Sequence, residues 1–355
     1  RYPNKQLVET EERFELREVK LYCYFFWKAG PEAYSRIMCV VLAIITATVT
    51  AYLLIYYNAF RGARCRSTAV LNGKTAVVTG ANTGIGKATA LDLARRGARV
   101  ILACRNKEKA EAAAFDIRKE TGNTAVLFMH LDLASLKSVR DFAETFLKTE
   151  PRLDLLINNA GLMAAGRTED GFGMVFGVNH LGHFLLTLLL LDRLKASGQS
   201  RIVNVSAKLH RLGSVDFNTL NTHKDLVTGQ SLWHCFMAYC HSKLCNVLFT
   251  RELANRLEGS SVTCYCLHPG VVATEFGRNM NFWMRLLGLI FSKLFFLTPE
   301  AGAQTTLHCA LQEGLEPLSG RYFTSCTLQE VSDMARDDGL AKKLWEVSER
   351  MCGLS

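Results

Sequence analysis

Apolar residues follow three patterns along the chain. An uncharged run covers positions 37–60, and from position 74 onward short apolar runs alternate with segments of helical period. A third stretch, FWMRLLGLIFSKLFF at 282–296, is apolar except for Arg285 and Lys293. A bilayer core of about 30 Å requires about 20 helical residues. The first run is therefore predicted to span a membrane, whereas the third is too short to do so.

The body contains short runs that predict buried strands. A sixth such strand is expected before Pro269, and helical stretches separate the runs. Strands that alternate with helices predict parallel βαβ units with a ligand at the carboxyl ends of the strands. The predicted fold is α/β, a Rossmann-like doubly wound parallel sheet flanked by helices, with an N-terminal transmembrane helix. The first five strand runs are Lys74–Thr79, Arg99–Cys104, Ala125–His130, Leu153–Ile157 and Arg201–Val205.

Composition narrows the class of protein. The chain has 355 residues, 49% of them hydrophobic, and a net charge of +9, which excludes a disordered or collagen-like polymer. The positive charge is spread along the chain, so no nucleic-acid partner is predicted. The expected organisation is an N-terminal extension of uncertain status, an anchor, a basic juxtamembrane linker and one catalytic domain that includes a lid at 278–298. Their ranges are 1–36, 37–60, 61–72 and 73–355.

The flanks of the anchor bear on its topology. Tyr52, Tyr56 and Tyr57 crowd its C-terminal end and arginines follow, as expected at a membrane interface. A buried core helix and a cleaved signal are the weaker alternatives. Residues 1–37 are hypothesised to be an upstream extension, because Met38 lies where a signal anchor would begin. The basic residues after the anchor would then keep the body in the cytosol. A single-pass protein of the endoplasmic reticulum is expected.

Twelve cysteines form no CxxC pair, so reduced thiols and no metal site are predicted.

A glycine-rich turn after the first strand indicates a binding site. Strand, glycine turn and helix follow one another, and such a turn lets the backbone approach a pyrophosphate at the helix N-terminus. An ordinary strand–helix turn is the competing interpretation. The turn is Gly80-Ala81-Asn82-Thr83-Gly84-Ile85-Gly86.

The tip of the second strand indicates which dinucleotide is bound. An acidic residue at this place would bind the ribose hydroxyls of NAD, but the chain has Cys104 and Arg105 there. A guanidinium can pair with a 2′-phosphate, so NADP(H) is predicted over NAD(H). The alternative is an exposed arginine that only ends a strand.

Several motifs in order resemble the short-chain dehydrogenase/reductase family over residues 72–325. They are Thr79-Gly80-x-x-x-Gly84-x-Gly86, Asn158-Asn159-Ala160-Gly161, Ser206 at the end of the fifth strand, Tyr239-x-x-x-Lys243, and Pro269-Gly270 with Thr274. VNHLGHFLLT and AYCHSKLCNVLFTRELA are similar to the retinol dehydrogenase subgroup. The resemblance implies a hydride-transferring enzyme that acts on CH–OH and C=O groups.

The chemistry of Tyr239 and Lys243 supports that implication. They are four residues apart on a predicted helix, hence on one face. A neighbouring ammonium is expected to lower the pKa of a phenol, which makes Tyr239 a usable general acid/base. Ser206 would stabilise charge on the reacting oxygen. By resemblance, Lys243 also holds the nicotinamide ribose, and Asn179 anchors a water that relays protons. Taken singly, each residue also has a purely structural interpretation. Tyr239 and Lys243 could be a packed ring beside a solvated amine, Ser206 could form a turn, and Asn179 could cap a helix.

The remaining site residues are assigned as follows. The resemblance places Asp132 and Asn159 on the adenine side and Thr274 at the nicotinamide amide. An insertion before the catalytic helix suggests Trp233 as a substrate contact, and the apolar lid adds Phe282 and Trp283. The full set expected to bind the cofactor is Gly80, Asn82, Thr83, Gly84, Ile85, Gly86, Arg105, Asp132, Leu133, Asn159, Ala160, Gly161, Tyr239, Lys243, Pro269, Gly270, Val272 and Thr274.

An apolar lid beside a membrane anchor predicts a lipophilic substrate. Retinal or retinol is implied by the resemblance, and medium-chain aldehydes or steroids satisfy the same physics. The lid could equally pack on its own core or on a second copy, which leaves a homo-oligomer open. The alternative from another class is a membrane scaffold that binds NADP(H) with little turnover.

Overall fold

The computed structural model describes residues 31–59, 63–220, 232–272 and 297–354. The chain divides into two compact units, residues 1–59 and 60–355. The expected lid at 278–298 lies outside the described residues except at its end.

The described residues of the first unit, 31–59, form one long helix, α1 (Pro31–Ala59), which begins six residues before the predicted anchor. Its segment Ser35–Leu53 has a mean hydropathy of 2.0 and none of it is buried within the protein. The hydroxyls of Thr46 and Thr48 donate hydrogen bonds to the carbonyls of Leu42 and Ile44, at 2.7 and 2.8 Å. The length, apolar composition and exposure of this segment thus confirm that it is a candidate membrane span, as predicted.

The second unit is built on one sheet of eight strands. Its order is β3-β2-β1-β4-β5-β6-β7-β8, and every pair is parallel except the last. The order reverses between β1 and β4, as in a doubly wound fold. The strands are β1 (Thr75–Thr79), β2 (Arg99–Cys104), β3 (Val126–His130), β4 (Leu155–Asn158), β5 (Ser200–Val205), β6 (Val262–His268), β7 (Tyr322–Thr324) and β8 (Thr327–Gln329).

The five strands predicted with bounds are confirmed within two residues at each end, and a sixth strand, β6, ends directly before Pro269 as expected. The terminal hairpin β7–β8 was not anticipated. Its strands have three residues each, and the turn between them is Ser325-Cys326, both with positive φ (49° and 57°). Such a turn is usually recognised by Asn-Gly, which is absent here.

Helices cover both faces of the sheet because neighbouring strand residues point to opposite sides. On β1, Val77 faces a core shared with α5, whereas Ala76 and Val78 face a core shared with α2 and α7. The helices are α2 (Gly84–Arg95), α3 (Lys107–Thr121), α4 (Leu136–Thr149), α5 (Met174–Ala196, with a π-helical turn at Gly177–Leu181), α6 (Leu232–Arg256), α7 (Pro299–Leu311) and α8 (Asp338–Met351).

The expected linker at 61–72 is partly docked on the body. The backbone N–H of Cys65 donates to Gln304 Oε1 at 3.1 Å, and Ser67 Oγ donates to the carbonyl of Leu311 at 2.9 Å. Leu71 is buried. This part of the linker therefore packs against the domain that follows it.

Candidate active site

The glycine turn joins β1 to α2 and requires its glycines. Gly80 and Gly84 have φ values of +66° and +58°, which side chains with a Cβ rarely adopt. Gly86 packs so closely that a Cβ would lie 2.6 Å from the Asn159 amide nitrogen. The turn therefore requires its glycines for its own backbone conformation and packing, and the binding of a pyrophosphate there stays a prediction.

The N-terminus of α2 is open to an anion. Thr83 begins the helix without a side-chain cap, and the first turn contains no acidic residue. Asn82 is half-buried and Thr83 is exposed. The helix thus offers N–H groups and the positive end of its dipole.

The loop after β6 reaches the same turn. A Cβ on Gly302 of α7 would lie 2.6 Å from Val272 and 3.2 Å from Ile85, so these two predicted cofactor residues meet at one glycine. Gly270, with φ of +91°, lies against Leu297 just after Pro269. The structure thereby brings the β6 loop and the glycine turn together.

The ends of β2 and β3 carry the residues expected near the adenosine. Arg105 is exposed at the end of β2. Asp132 follows β3, and its carboxylate accepts the backbone N–H of Ala134 at 2.9 Å. Leu133 is buried against Gly182 of α5.

The loop after β4 is held by Thr79 of β1. The N–H groups of Asn159 and Ala160 each donate to Thr79 Oγ1 at 2.9 Å, and the Asn159 side chain donates to the Thr79 carbonyl at 2.8 Å. The Asn159 amide therefore has a structural partner, and sequence reasoning missed Thr79 as its support.

The predicted catalytic quartet comes together where β5 ends, at the π-helical turn of α5 and in the N-terminal half of α6. Lys243 Nζ donates to the carbonyl of Val205 at 2.9 Å and lies 5.4 Å from the Tyr239 ring centroid. Ser206 Oγ donates to the carbonyl of Lys243 at 2.7 Å. Serine, lysine and tyrosine thus share one small region.

Asn179 joins this group from the π-helical turn of α5. Its side chain accepts the N–H of Leu162 at 2.8 Å and donates to the Leu162 carbonyl and to Ser242 Oγ, both at 3.0 Å. A Cβ on Gly161 would lie 3.3 Å from Lys243 Nζ and 3.6 Å from Asn179 Oδ1. Gly161 therefore leaves space next to both polar groups.

The pKa of Tyr239 differs from the sequence-based expectation. Burial raises it to about 12 instead of lowering it. Burial also lowers the pKa of Lys243 to about 8, so the ammonium is weakened as a partner. The cause is that both groups are desolvated, which opposes either charge. Tyr239 is accordingly a neutral phenol at physiological pH.

The predicted substrate contacts are only partly described. Trp233 is 66% exposed, and its ring lies 5.6 Å from that of Phe236. Phe282, Trp283 and the cofactor residue Thr274 lie outside the described residues. A cavity of about 80 Å³ borders α6 at Ala238, Ser242 and Cys245.

The residues present fit an NADP(H) molecule. The turn at 80–86 and Gly161 form a cradle that side chains would fill. The open end of α2 suits a pyrophosphate, and Arg105 suits a 2′-phosphate.

This fold and these motifs define a class. The short chain dehydrogenase family pattern matches residues 74–221, and curated members match far more of the chain. The chain belongs to the short-chain dehydrogenase/reductase family and is an oxidoreductase.

Its relatives make the class more specific. Dehydrogenase/reductase SDR family member 13 of Bos taurus is 57% identical over 86% of this chain and 80% of its own. Retinol dehydrogenase 11 of Homo sapiens is 54% identical over 82% of this chain and 89% of its own. A structure from Beutenbergia cavernae, provisionally assigned as an NAD(P) dependent gluconate 5-dehydrogenase with bound NADP, has a TM-score of 0.56 and 28% identity, over 72% of this chain and 96% of its own.

Proposed function

We propose that the chain is a membrane-anchored oxidoreductase that transfers hydride between NADP(H) and a lipophilic carbonyl or alcohol, with retinal and retinol as the leading pair. The observation that carries this proposal is the assembly of Asn179, Ser206, Tyr239 and Lys243 beside the glycine turn. Buried polar groups are costly, so such a cluster is best explained by chemistry.

In carbonyl reduction, Tyr239 donates its proton to the substrate oxygen. Its pKa of about 12 keeps that proton in place until negative charge develops on the oxygen. To stabilise the same oxygen, Ser206 would turn its hydroxyl away from the Lys243 carbonyl, to which it donates at 2.7 Å, and donate to the substrate instead. Lys243, beside the ring, favours the phenolate after transfer. When bound, the nicotinamide supplies the hydride.

Asn179 positions the catalytic residues through the hydrogen bonds of its side chain. Its amide is shared between Leu162 and Ser242, and Ser242 Oγ donates to the carbonyl of Tyr239 at 2.8 Å. The start of α6 is thereby tied to the loop after β4. We assign Asn179 the role of holding a proton-relay water.

Two observations support a lipophilic substrate. The apolar segment Ser35–Leu53 suits a membrane, and close relatives are named retinol dehydrogenases. We place the anchor at 37–60, the catalytic domain at 73–355, and that domain on the cytosolic face of the endoplasmic reticulum. The apolar lid and Trp233 would then contact a substrate that enters from the bilayer.

The function is tested by NADPH oxidation with all-trans-retinal in membranes containing the protein. Tyr239→Phe should abolish turnover while NADPH binding stays near the wild-type value. A panel with a medium-chain aldehyde and a steroid ketone defines the substrate class. Preserved turnover in the variant would contradict the mechanism, and NADPH binding without turnover of any carbonyl would favour the scaffold alternative.

The cofactor preference is tested at Arg105. Among the described residues this exposed side chain forms no ion pair with an acidic residue, so its charge is available to a phosphate. Arg105→Asp should weaken NADPH binding far more than NADH binding, with Arg95→Asp on α2 as a control for surface charge. Equal losses for both cofactors would contradict the NADP(H) preference.

A further inference from the structure

His183 lies in the interior of the protein between the two halves of the site. Its ring is buried, with Nε2 2.9 Å from Thr79 Oγ1 and Nδ1 3.2 Å from the carbonyl oxygen of Asn179. Thr79 holds the loop at Asn159 and Ala160, termed the cofactor loop because both residues are predicted to bind the cofactor. Asn179 belongs to the catalytic quartet. A single imidazole thus touches one residue from each half.

The ring is neutral at physiological pH. Burial lowers its pKa to about 3, and the nearby positive charge of Lys243 acts in the same direction. A neutral imidazole has one N–H donor and one acceptor nitrogen, so it can give directional bonds without adding charge.

The proton positions follow from the partners. A carbonyl only accepts, so Nδ1 carries the proton and donates it to Asn179. Nε2 is then the acceptor, and the Thr79 hydroxyl donates to it. The Thr79 proton has a second acceptor, the carbonyl of Ile157, but that contact is 3.4 Å against 2.9 Å. The Thr79 oxygen meanwhile accepts the N–H groups of Asn159 and Ala160.

The chain of bonds is therefore continuous and consistently oriented. It runs from the loop at 159–160 through Thr79 and His183 to the backbone of Asn179. The side chain of Asn179 continues it to Ser242 on the catalytic helix. Asn179 is fixed at its backbone by His183 and at its amide by Leu162.

We propose that His183 is a positioning residue that couples the cofactor loop to the proton-relay asparagine. The proposal rests on the proposed function. The two hydrogen bonds of His183 should have separable effects. The bond with Thr79 maintains the cofactor loop, and the bond to Asn179 maintains the proton relay.

Two substitutions separate the bonds. The amide of an asparagine occupies the place of Nδ1, so His183→Asn keeps the bond to Asn179 and loses Thr79. The amide of a glutamine occupies the place of Nε2, so His183→Gln keeps Thr79 and loses Asn179. Thr187→Val, one turn further along α5, is the matched control. It removes a buried hydrogen bond to Asn158 that lies outside this chain of bonds.

The measurements are the NADPH Kd by fluorescence, kcat and KM with all-trans-retinal, and Tm, all on the full chain in detergent. We expect His183→Asn to raise the NADPH Kd about tenfold, and His183→Gln to lower kcat about tenfold with KM and Kd near wild type. Thr187→Val should lower only Tm. If both histidine variants lower Tm alone, as the control does, His183 is a core residue and the proposal is wrong.

The binding measurement keeps the two proposals distinguishable. If the wild type turns over no carbonyl, the proposed function fails, but the NADPH Kd still compares His183→Asn with His183→Gln. If neither histidine variant folds, Thr79→Ser and Thr79→Val replace them. The serine should keep the wild-type Kd and the valine should raise it, and equal Kd values would overturn the proposal.

Discussion

Helix α5 and the segment Ser35–Leu53 of α1 have mean hydropathies of 1.7 and 2.0, yet 78% of the apolar window of α5 is buried inside the protein and none of that of α1 is. Their polar side chains differ accordingly. Thr46 and Thr48 of α1 bond back to their own helix. Asn179 and His183 of α5 bond instead to residues that hold the site.

The two helices have similar hydropathies but differ in where their polar side chains form hydrogen bonds. In a lipid environment a helix must satisfy its polar groups internally, and Thr46 and Thr48 of α1 do so. A core helix can direct them to neighbouring elements, and α5 does so at its π-helical turn. Such turns occur often at functional sites. Back-bonding does not by itself identify an anchor, because Thr145 of α4 and Thr250 of the buried helix α6 bond to their own helices in the same way. What marks α5 as a core helix is its burial and the bonds of Asn179 and His183 to neighbouring elements.

The largest expected effect comes from a charge placed in each helix. Leu190 of α5 is fully buried, so Leu190→Asp should cost about 4 kcal/mol or more and unfold the body. Leu42→Asp in α1 should cost about 3 kcal/mol of membrane insertion and leave the body folded. Protease resistance of the body and membrane fractionation measure the two outcomes. An unfolded body in Leu42→Asp would break the comparison.

A smaller effect is expected from the polar side chains. Asn179→Ala removes the bonds to Leu162 and Ser242, so kcat with all-trans-retinal should fall about 100-fold. Thr46→Val on α1 is the control and should leave kcat unchanged. Steady-state NADPH oxidation measures both. An Asn179→Ala enzyme with wild-type kcat would remove this residue from the mechanism.

The last expected effect is a pH dependence of stability to which α5 contributes. Burial lowers the pKa of His180 to about 4 and that of His183 to about 3 from 6.5. Below pH 6.5 these two histidines bind protons in the unfolded chain but stay neutral in the folded chain until the pH approaches their lowered pKa values. The free energy of unfolding should therefore fall with decreasing pH, by at most about 1.4 kcal/mol per pH unit for each histidine.

Denaturant titrations between pH 7 and pH 4.5 measure this slope. His180→Phe is the matched variant, because His180 lies among the rings of Phe176, Phe184 and Phe249. It should reduce the slope by at most about 1.4 kcal/mol per pH unit. The rest of the slope stays, because burial also lowers the pKa values of His183, His210, His241, His268 and His308. A slope that is the same in the variant would show that His180 does not contribute.

Much of this structure could be predicted from the sequence because strong local signals coincide with the fold. The strand runs are apolar on both sides, and Gly80, Gly84 and Gly86 mark a turn that other residues cannot form. The hairpin β7–β8 was missed because its strands are short and its Ser325-Cys326 turn carries no glycine. The support by Thr79 and His183 was missed because it depends on contacts across 104 positions of sequence.

The pKa of Tyr239 illustrates the limit in another way. Spacing places Tyr239 and Lys243 on one helix face, and this was sufficient to predict their proximity. The direction of the pKa depends on how much water the fold removes from both groups, and burial outweighs the nearby ammonium. Neighbours along a helix can be deduced from sequence, whereas desolvation requires the whole structure.

Isotope transfer tests the central claim most directly. The protein in membranes is given all-trans-retinal and NADPH carrying deuterium at both positions of nicotinamide C4, and the retinol formed is analysed by mass spectrometry. The account predicts one deuterium on the carbinol carbon with the wild-type protein and no labelled retinol with Tyr239→Phe. Bound NADPH without labelled product in the wild type, or equal labelling in the variant, would contradict it.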